Sequence, residues 1–123
     1  MFEVEKSFSF EAGHVLDHHD GHCSNPHGHS YVISVILRVQ DTIKEGPKKN
    51  MVFDFLDVNA IVKPMIDQYF EHKWLNDTLE TDSPTAEYIA CWIYNFLFKK
   101  LPCLYAVTVK ETASSKVTYI PSI

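Results

Sequence analysis

Apolar and polar positions alternate from the first residues. In "FEVEKSFSFE" (residues 2–11) Phe2, Val4, Phe8 and Phe10 fall on one side, with charged or hydroxyl-bearing side chains on the other. That period of two predicts a strand with one wet face. "HSYVISVILRVQ" (29–40) is rich in β-branched and aromatic residues and predicts a second long strand. "DTIKEGPKKNM" carries a Gly-Pro break and reads as a turn, the tip of a hairpin. Beyond it the period lengthens. Asp54 can cap a helix running to about Tyr69, with Phe55, Val58, Ile61, Val62, Met65, Ile66 and Tyr69 as its apolar stripe. Pro64 lies within that stretch and is expected to kink the helix or delay its start. A second helix is marked by Ser83 as cap and Pro84 in first position, with Ile89, Trp92, Ile93, Phe96 and Leu97 on its apolar face; it stops before Pro102. "LYAVTVKE" (104–111) and "KVTYI" (116–120), joined by Thr-Ala-Ser-Ser, predict a closing hairpin. The order strand, strand, helix, helix, strand, strand is an α+β pattern: an antiparallel sheet with its helices on one face. The opposite face and the sheet edges then need cover, which points to association of subunits.

Composition narrows the classes of function. At 123 residues, 46% apolar and 22% charged, the chain reads as one domain, residues 1–123, with a substantial core. A net charge of −5 argues against nucleic acid as a partner. No apolar run is long enough for a membrane helix, and the acidic start "MFEVEK" is unlike a signal peptide, so the expected location is cytoplasmic. Three cysteines, an odd count in a chain without an export signal, do not suggest a disulfide framework. Cys91 and Cys103 sit in apolar surroundings and read as small buried hydrophobes; Cys23 has polar neighbours.

Those neighbours are the unusual feature. "DHHDGHCSNPHGHSY" (17–31) holds five of the seven histidines. In a strand, residues two apart project to the same side, so His27 and His29 can converge on one ion; on a helix they would lie about 200° apart. Gly28 between them removes a side chain where backbone and metal approach closely. His14, ending the first strand, supplies a third imidazole if the two strands pair. Three neutral histidines with one open position is the donor set of a catalytic zinc, whereas structural zinc sites are closed, mostly by thiolates. His18, His19 and His22 share a loop with Asp17, Asp20 and Gly21 and read as solvated. Cys23 suits a fourth ligand or a free thiolate acting as base or nucleophile, and position alone does not choose between them.

Six blocks, in order, then carry a resemblance: "FSFEAGH", "CSNPHGHSY", "MVFDF", "EHKWLND", "SPTAE" and "VKET". Together they resemble the 6-pyruvoyl-tetrahydropterin synthase and 6-carboxytetrahydropterin synthase family of tunnelling-fold enzymes over nearly the whole chain. The resemblance implies a four-stranded antiparallel sheet with two helices on one face, oligomerising into a barrel as a trimer-based homo-oligomer, up to a hexamer. It implies Zn2+ held by His14, His27 and His29, with Cys23 as a proton-transferring thiol. His72 would be the second acid/base group, oriented by Glu71, and Glu111 the carboxylate anchoring a pterin. Thr85 and the backbone around Ala86 and Glu87 would complete the ring's hydrogen bonds. Sites in this family form between subunits, which leaves open whether Glu111 serves its own chain's metal or a neighbour's. Three departures stand out: Glu71 where the family usually has Asp, Val15 where many relatives have Arg, and Ala86 where some carry a hydroxyl. The short spacing from Cys23 to the His-Gly-His motif is similar to the bacterial carboxy enzymes of the queuosine (7-deazaguanine) pathway. The implied reaction is conversion of dihydroneopterin triphosphate to 6-carboxytetrahydropterin with loss of acetaldehyde and triphosphate. The alternatives are a pyruvoyl-forming or folate-pathway paralogue on the same substrate, and a zinc- or pterin-binding module without turnover. No Gly-rich dinucleotide fingerprint is present, in line with a redox-neutral reaction.

Overall fold

The computed structural model describes residues 1–122. Its elements are β1 (Phe2–His14), β2 (His27–Val39), α1 (Phe55–Tyr69), a single-turn α2 (Leu75–Thr78), α3 (Ala86–Leu97), β3 (Leu104–Thr112) and β4 (Ser115–Tyr119). The strands form one antiparallel sheet in the order β1-β2-β3-β4. Alternation along β1 turns Phe8, Phe10, Ala12 and His14 inward, and along β2 it turns Tyr31, Ile33, Val35 and Leu37 inward. These pack with Val58, Val62 and Met65 of α1 and Ile89, Ile93 and Leu97 of α3 in one continuous core. The reverse face is mixed: Val32 and Ile36 lie there among polar side chains, Ser7 and Ser34 share a hydroxyl contact of 2.8 Å, and Arg38 Nε donates to Glu3 at 2.7 Å.

Both helices run where their stripes predict, with two differences of detail. α1 is capped by Asp54, whose carboxylate accepts from Leu56 N at 2.9 Å, and it passes through Pro64 with its start unchanged at Phe55. Proline removes the bond to the carbonyl four residues earlier. Ala60 and Pro64 are both exposed, so that carbonyl meets water. α3 is capped by Thr85 and not by Ser83: the Thr85 hydroxyl accepts from Tyr88 N at 3.1 Å and its carbonyl from Ile89 N at 2.9 Å. Pro84 therefore precedes the helix, which frees its carbonyl for another partner.

The stretch 41–51 does fold back on itself, with Asn50 N donating to Ile43 O and Ile43 N to Met51 O, at 2.8 and 2.9 Å. It is not the tip of a sheet hairpin, because it links β2 to α1. The two long strands also outrun their sequence patterns. β1 reaches His14 and β2 begins at His27, because pairing with a neighbour holds polar strand ends that alternation alone does not reveal. Among the described residues, no helix is long and apolar enough to cross a membrane.

Candidate metal centre and active site

The register of β1 and β2 builds the site. His14 stands opposite His27 and Ala12 opposite His29, so all three imidazoles leave the core-facing side of the sheet at its end. Their ring centroids lie 4.5, 5.0 and 5.0 Å apart, and one nitrogen of each falls within 4.8 Å of the other two. No other His, Cys, Asp or Glu among the described residues joins this group.

Backbone carbonyls decide which nitrogen faces inward. His14 Nδ1 lies 2.8 Å from Pro84 O, and His27 Nδ1 lies 2.7 Å from Asn25 O. A carbonyl only accepts, so each Nδ1 carries the proton and Nε2 of the neutral ring keeps its lone pair. Burial holds the His14 imidazole below its ordinary pKa, against the opposing pull of the Pro84 carbonyl and the Glu111 carboxylate. His14 Nε2 and His29 Nε2 are buried and hydrogen-bonded to nothing. Glu111, on β3, brings Oε2 to 3.5 Å from His14 Nε2 and 3.0 Å from His29 Nε2. At His29 the separation is short but the angles do not make a hydrogen bond. At His14 a lone pair faces a carboxylate, both of them electron donors, and a cation at this point satisfies both. The donor set therefore fits a divalent metal of the imidazole-preferring kind. Within the single chain, Glu111 stands against the histidines of its own sheet.

The remaining predicted residues surround this group. Cys23 sits half-buried in a 3-10 turn (His22–Ser24), outside the imidazole cluster, with its carbonyl accepting from Leu16 N at 2.8 Å. Glu71 and His72 lie on a segment laid along the outer edge of β1. His72 N donates to Glu11 O at 2.6 Å, Glu71 Oε1 accepts from Glu11 N at 3.1 Å, and Gly13 N donates to Lys73 O at 3.1 Å. His72 has a left-handed backbone (φ 57°), and its side chain is 79% exposed, with Nε2 3.3 Å from Glu71 Oε1. It borders a groove of about 760 Å³ shared with His27, Gly28, His29 and Trp74. Ala86 and Glu87, in the first turn of α3, share a smaller cleft with Glu111, Val109 and Val117. Thr85 just precedes them, its hydroxyl already engaged as the helix cap.

Sequence reasoning missed three contributors. Tyr31, fully buried, places its hydroxyl 3.3 Å from His14 Nδ1, and burial raises its pKa well above the ordinary phenol value. Alternation beyond His27 and His29 places residue 31 on the same face, so that signal was available. The carbonyls of Pro84 and Asn25 carry no signal in side-chain identity. Asn76, the third, grips Val15 with both atoms of its amide.

Comparison with known proteins identifies the family. Residues 3–122 match the 6-pyruvoyl tetrahydropterin synthase family. The chain is 39% identical over 120 residues to a Synechocystis protein named 6-carboxy-5,6,7,8-tetrahydropterin synthase, covering 97% of this chain and 93% of that one. It is 45% identical over 87 residues to a Haemophilus influenzae protein of the same name, covering 70% and 61%. The solved Caenorhabditis elegans 6-pyruvoyl tetrahydropterin synthase superposes with a TM-score of 0.84 at 28% identity, covering 98% of this chain and 96% of that one. From strand register to family match, these observations lead to one conclusion: the chain belongs to the 6-pyruvoyl tetrahydropterin synthase family.

Proposed function

We propose that the protein is a zinc-dependent lyase. It converts 7,8-dihydroneopterin triphosphate and one water to 6-carboxy-5,6,7,8-tetrahydropterin, acetaldehyde and triphosphate, serving queuosine (7-deazaguanine) biosynthesis in the cytoplasm. The observation that carries this reading is the meeting of three imidazoles, with the buried Nε2 atoms of His14 and His29 left without a hydrogen bond beside a carboxylate. His14, His27 and His29 would hold the zinc, which when bound polarises an oxygen of the substrate side chain. Cys23, free of the cluster, takes a proton from the side chain as its thiolate. His72, oriented by the Glu71 carboxylate, gives or takes the second proton. The Glu111 carboxylate accepts two N–H bonds from the amino-pyrimidine edge of the pterin, a bidentate charge-assisted contact. Backbone groups of Thr85, Ala86 and Glu87, at the start of α3 and beside the same cleft, meet the rest of the ring. The balance is redox-neutral: the bond between the first two side-chain carbons and the phosphate-ester C–O bond break, and water supplies the carboxylate oxygen.

The working form is a trimer-based homo-oligomer, up to a hexamer, in which the face of the sheet opposite the helices is enclosed. The sheet order supports this, since β4 and the part of β1 that precedes Glu11 lie at its two edges, where another copy can pair. The carboxy product is favoured by the short Cys23–His27 spacing and by the names of the Synechocystis and Haemophilus relatives. The likeness to the Caenorhabditis elegans structure keeps a pyruvoyl product as the second reading. Incubating the zinc-loaded protein with dihydroneopterin triphosphate and analysing products by mass spectrometry tests both. Acetaldehyde and the carboxy pterin are expected. A pyruvoyl pterin without acetaldehyde selects the second reading, and tight pterin binding without turnover reduces the protein to a binding module.

A further inference from the structure

Residues 71–74 run along β1 as a short accessory strand, bridged to it at Gly13 and Trp74, and side chains of Glu71 and of Asn76 in the α2 turn that follows extend the pairing. Glu71 Oε1 stands in for a carbonyl toward Glu11 N at one end. His72 N and Lys73 O, main-chain groups, serve Glu11 O and Gly13 N in the middle. At the other end Asn76 does the work of a whole peptide unit: Oδ1 accepts from Val15 N at 2.9 Å and Nδ2 donates to Val15 O at 2.8 Å. The two partners fix the amide's orientation, because a flipped group would set oxygen against oxygen and N–H against N–H.

Val15 lies between two parts of the site. It follows His14 directly, and the next residue, Leu16, donates its N–H to the Cys23 carbonyl at 2.8 Å. We infer that Asn76 is a positioning residue: by clamping Val15 it fixes the height of Cys23 relative to His14 and ties both to the strand that carries His72. No other natural side chain of this length both accepts and donates in this way. Aspartate keeps the acceptor but turns a second oxygen toward Val15 O, and leucine does neither. The clamp also explains why β1 can end abruptly at His14 and still place the following loop, where the sheet offers no further partner on that side.

The inference rests on Cys23 being the proton-transferring thiol, and the test is chosen so that clamp and chemistry fail separately. Asn76→Asp is compared with the wild type in the zinc-loaded full chain. Cys23 alkylation by iodoacetamide is followed at one fixed pH by peptide mass spectrometry, with Cys91 and Cys103 as internal references, alongside kcat and KM. The expected result is a change of roughly tenfold in the Cys23 rate alone and a fall in kcat of about tenfold to a hundredfold with KM little moved. A folded variant in which Cys23 reactivity and kcat match the wild type overturns the inference. Should the variant not fold, hydrogen exchange on the wild type decides: Val15 N–H must be protected as well as Gly13 N–H, and loop-like exchange at Val15 overturns the clamp. A changed Cys23 rate in a protein that never turns over the pterin leaves the clamp standing and removes the proposed reaction instead.

Discussion

Replacing Gly28 with alanine tests the metal centre through its scaffold and leaves every ligand in place. Gly28 lies between His27 and His29, and its backbone is not left-handed, so an L side chain adds no torsional strain there. The obstacle is the neighbouring strand. A Cβ at Gly28 comes to 3.2 Å from Ala12 O, a main-chain atom, where ordinary contact begins near 3.4 Å. Ala12 pairs with His29, so relieving the contact displaces the β1–β2 junction by about 0.2 Å, the same size as the tolerance on metal–ligand distances. Overpacking of this kind costs about 1–3 kcal/mol, offset by about 0.4–1 kcal/mol from the stiffer unfolded chain. The metal-free variant should therefore fold with a loss of about 2.6 kcal/mol or less. Its zinc affinity should fall by about tenfold, near 1.4 kcal/mol. Competition against a chromophoric chelator measures the affinity, and urea unfolding under EDTA measures the stability. Gly46→Ala is the control: its glycine is left-handed (φ 90°) with open space around it, so it should cost roughly 1 kcal/mol of stability and leave zinc binding alone. Zinc affinity unchanged in a folded Gly28→Ala protein would refute the idea that this strand pair sets the ligand geometry.

Three other perturbations have outcomes set by the same geometry. Cys23→Ala should retain one zinc per chain by metal analysis after dialysis, because the thiol is outside the imidazole group, while turnover falls by about two to four powers of ten; loss of the metal would make Cys23 a ligand. Glu71→Asp shortens the arm whose Oε1 serves both Glu11 N and His72, and should cost about 0.5–1.5 kcal/mol in urea unfolding, with no change counting against the accessory-strand description. In the chelated protein His14 is held below its ordinary pKa of 6.5, so the unfolded chain binds the proton more readily than the folded one. That contribution to stability is complete above 6.5 and fades as the pH falls below it; unfolding midpoints at several pH values should show this slope, and His14→Gln should flatten it.

How much of this the sequence disclosed depends on what kind of group does the work. Period-two and helical patterns placed every long element, since Phe8, Phe10, Val58 and Ile93 recur at strand or helix spacing and are buried, although Phe2 and Phe55 at the element ends stay exposed. His27 and His29 were legible because a strand's alternation is rigid, and His14 because two adjacent long strands tend to pair. Thr85 and Ser83 were indistinguishable as caps, each being a hydroxyl beside Pro84, and the choice fell to a bond with Tyr88 N. The short α2 and the accessory strand were invisible. "EHKWLND" has no period, and its conformation is imposed by the free edge of β1 through Glu11, Gly13 and Val15. The placement of Glu111 against its own histidines follows from the β2–β3 register, a long-range property that local patterns do not encode.

Control of the His14 and His27 rings through main-chain oxygens has a consequence for how such a protein can diverge. Every residue owns a carbonyl, so residues 25 and 84 are free to drift in identity while the imidazoles keep their orientation. Only an insertion, deletion or backbone rearrangement nearby would release them. The orientation of these inward-facing nitrogens is thus shielded from most point changes, and the tolerance of the centre is written in chain length and loop path more than in spelling.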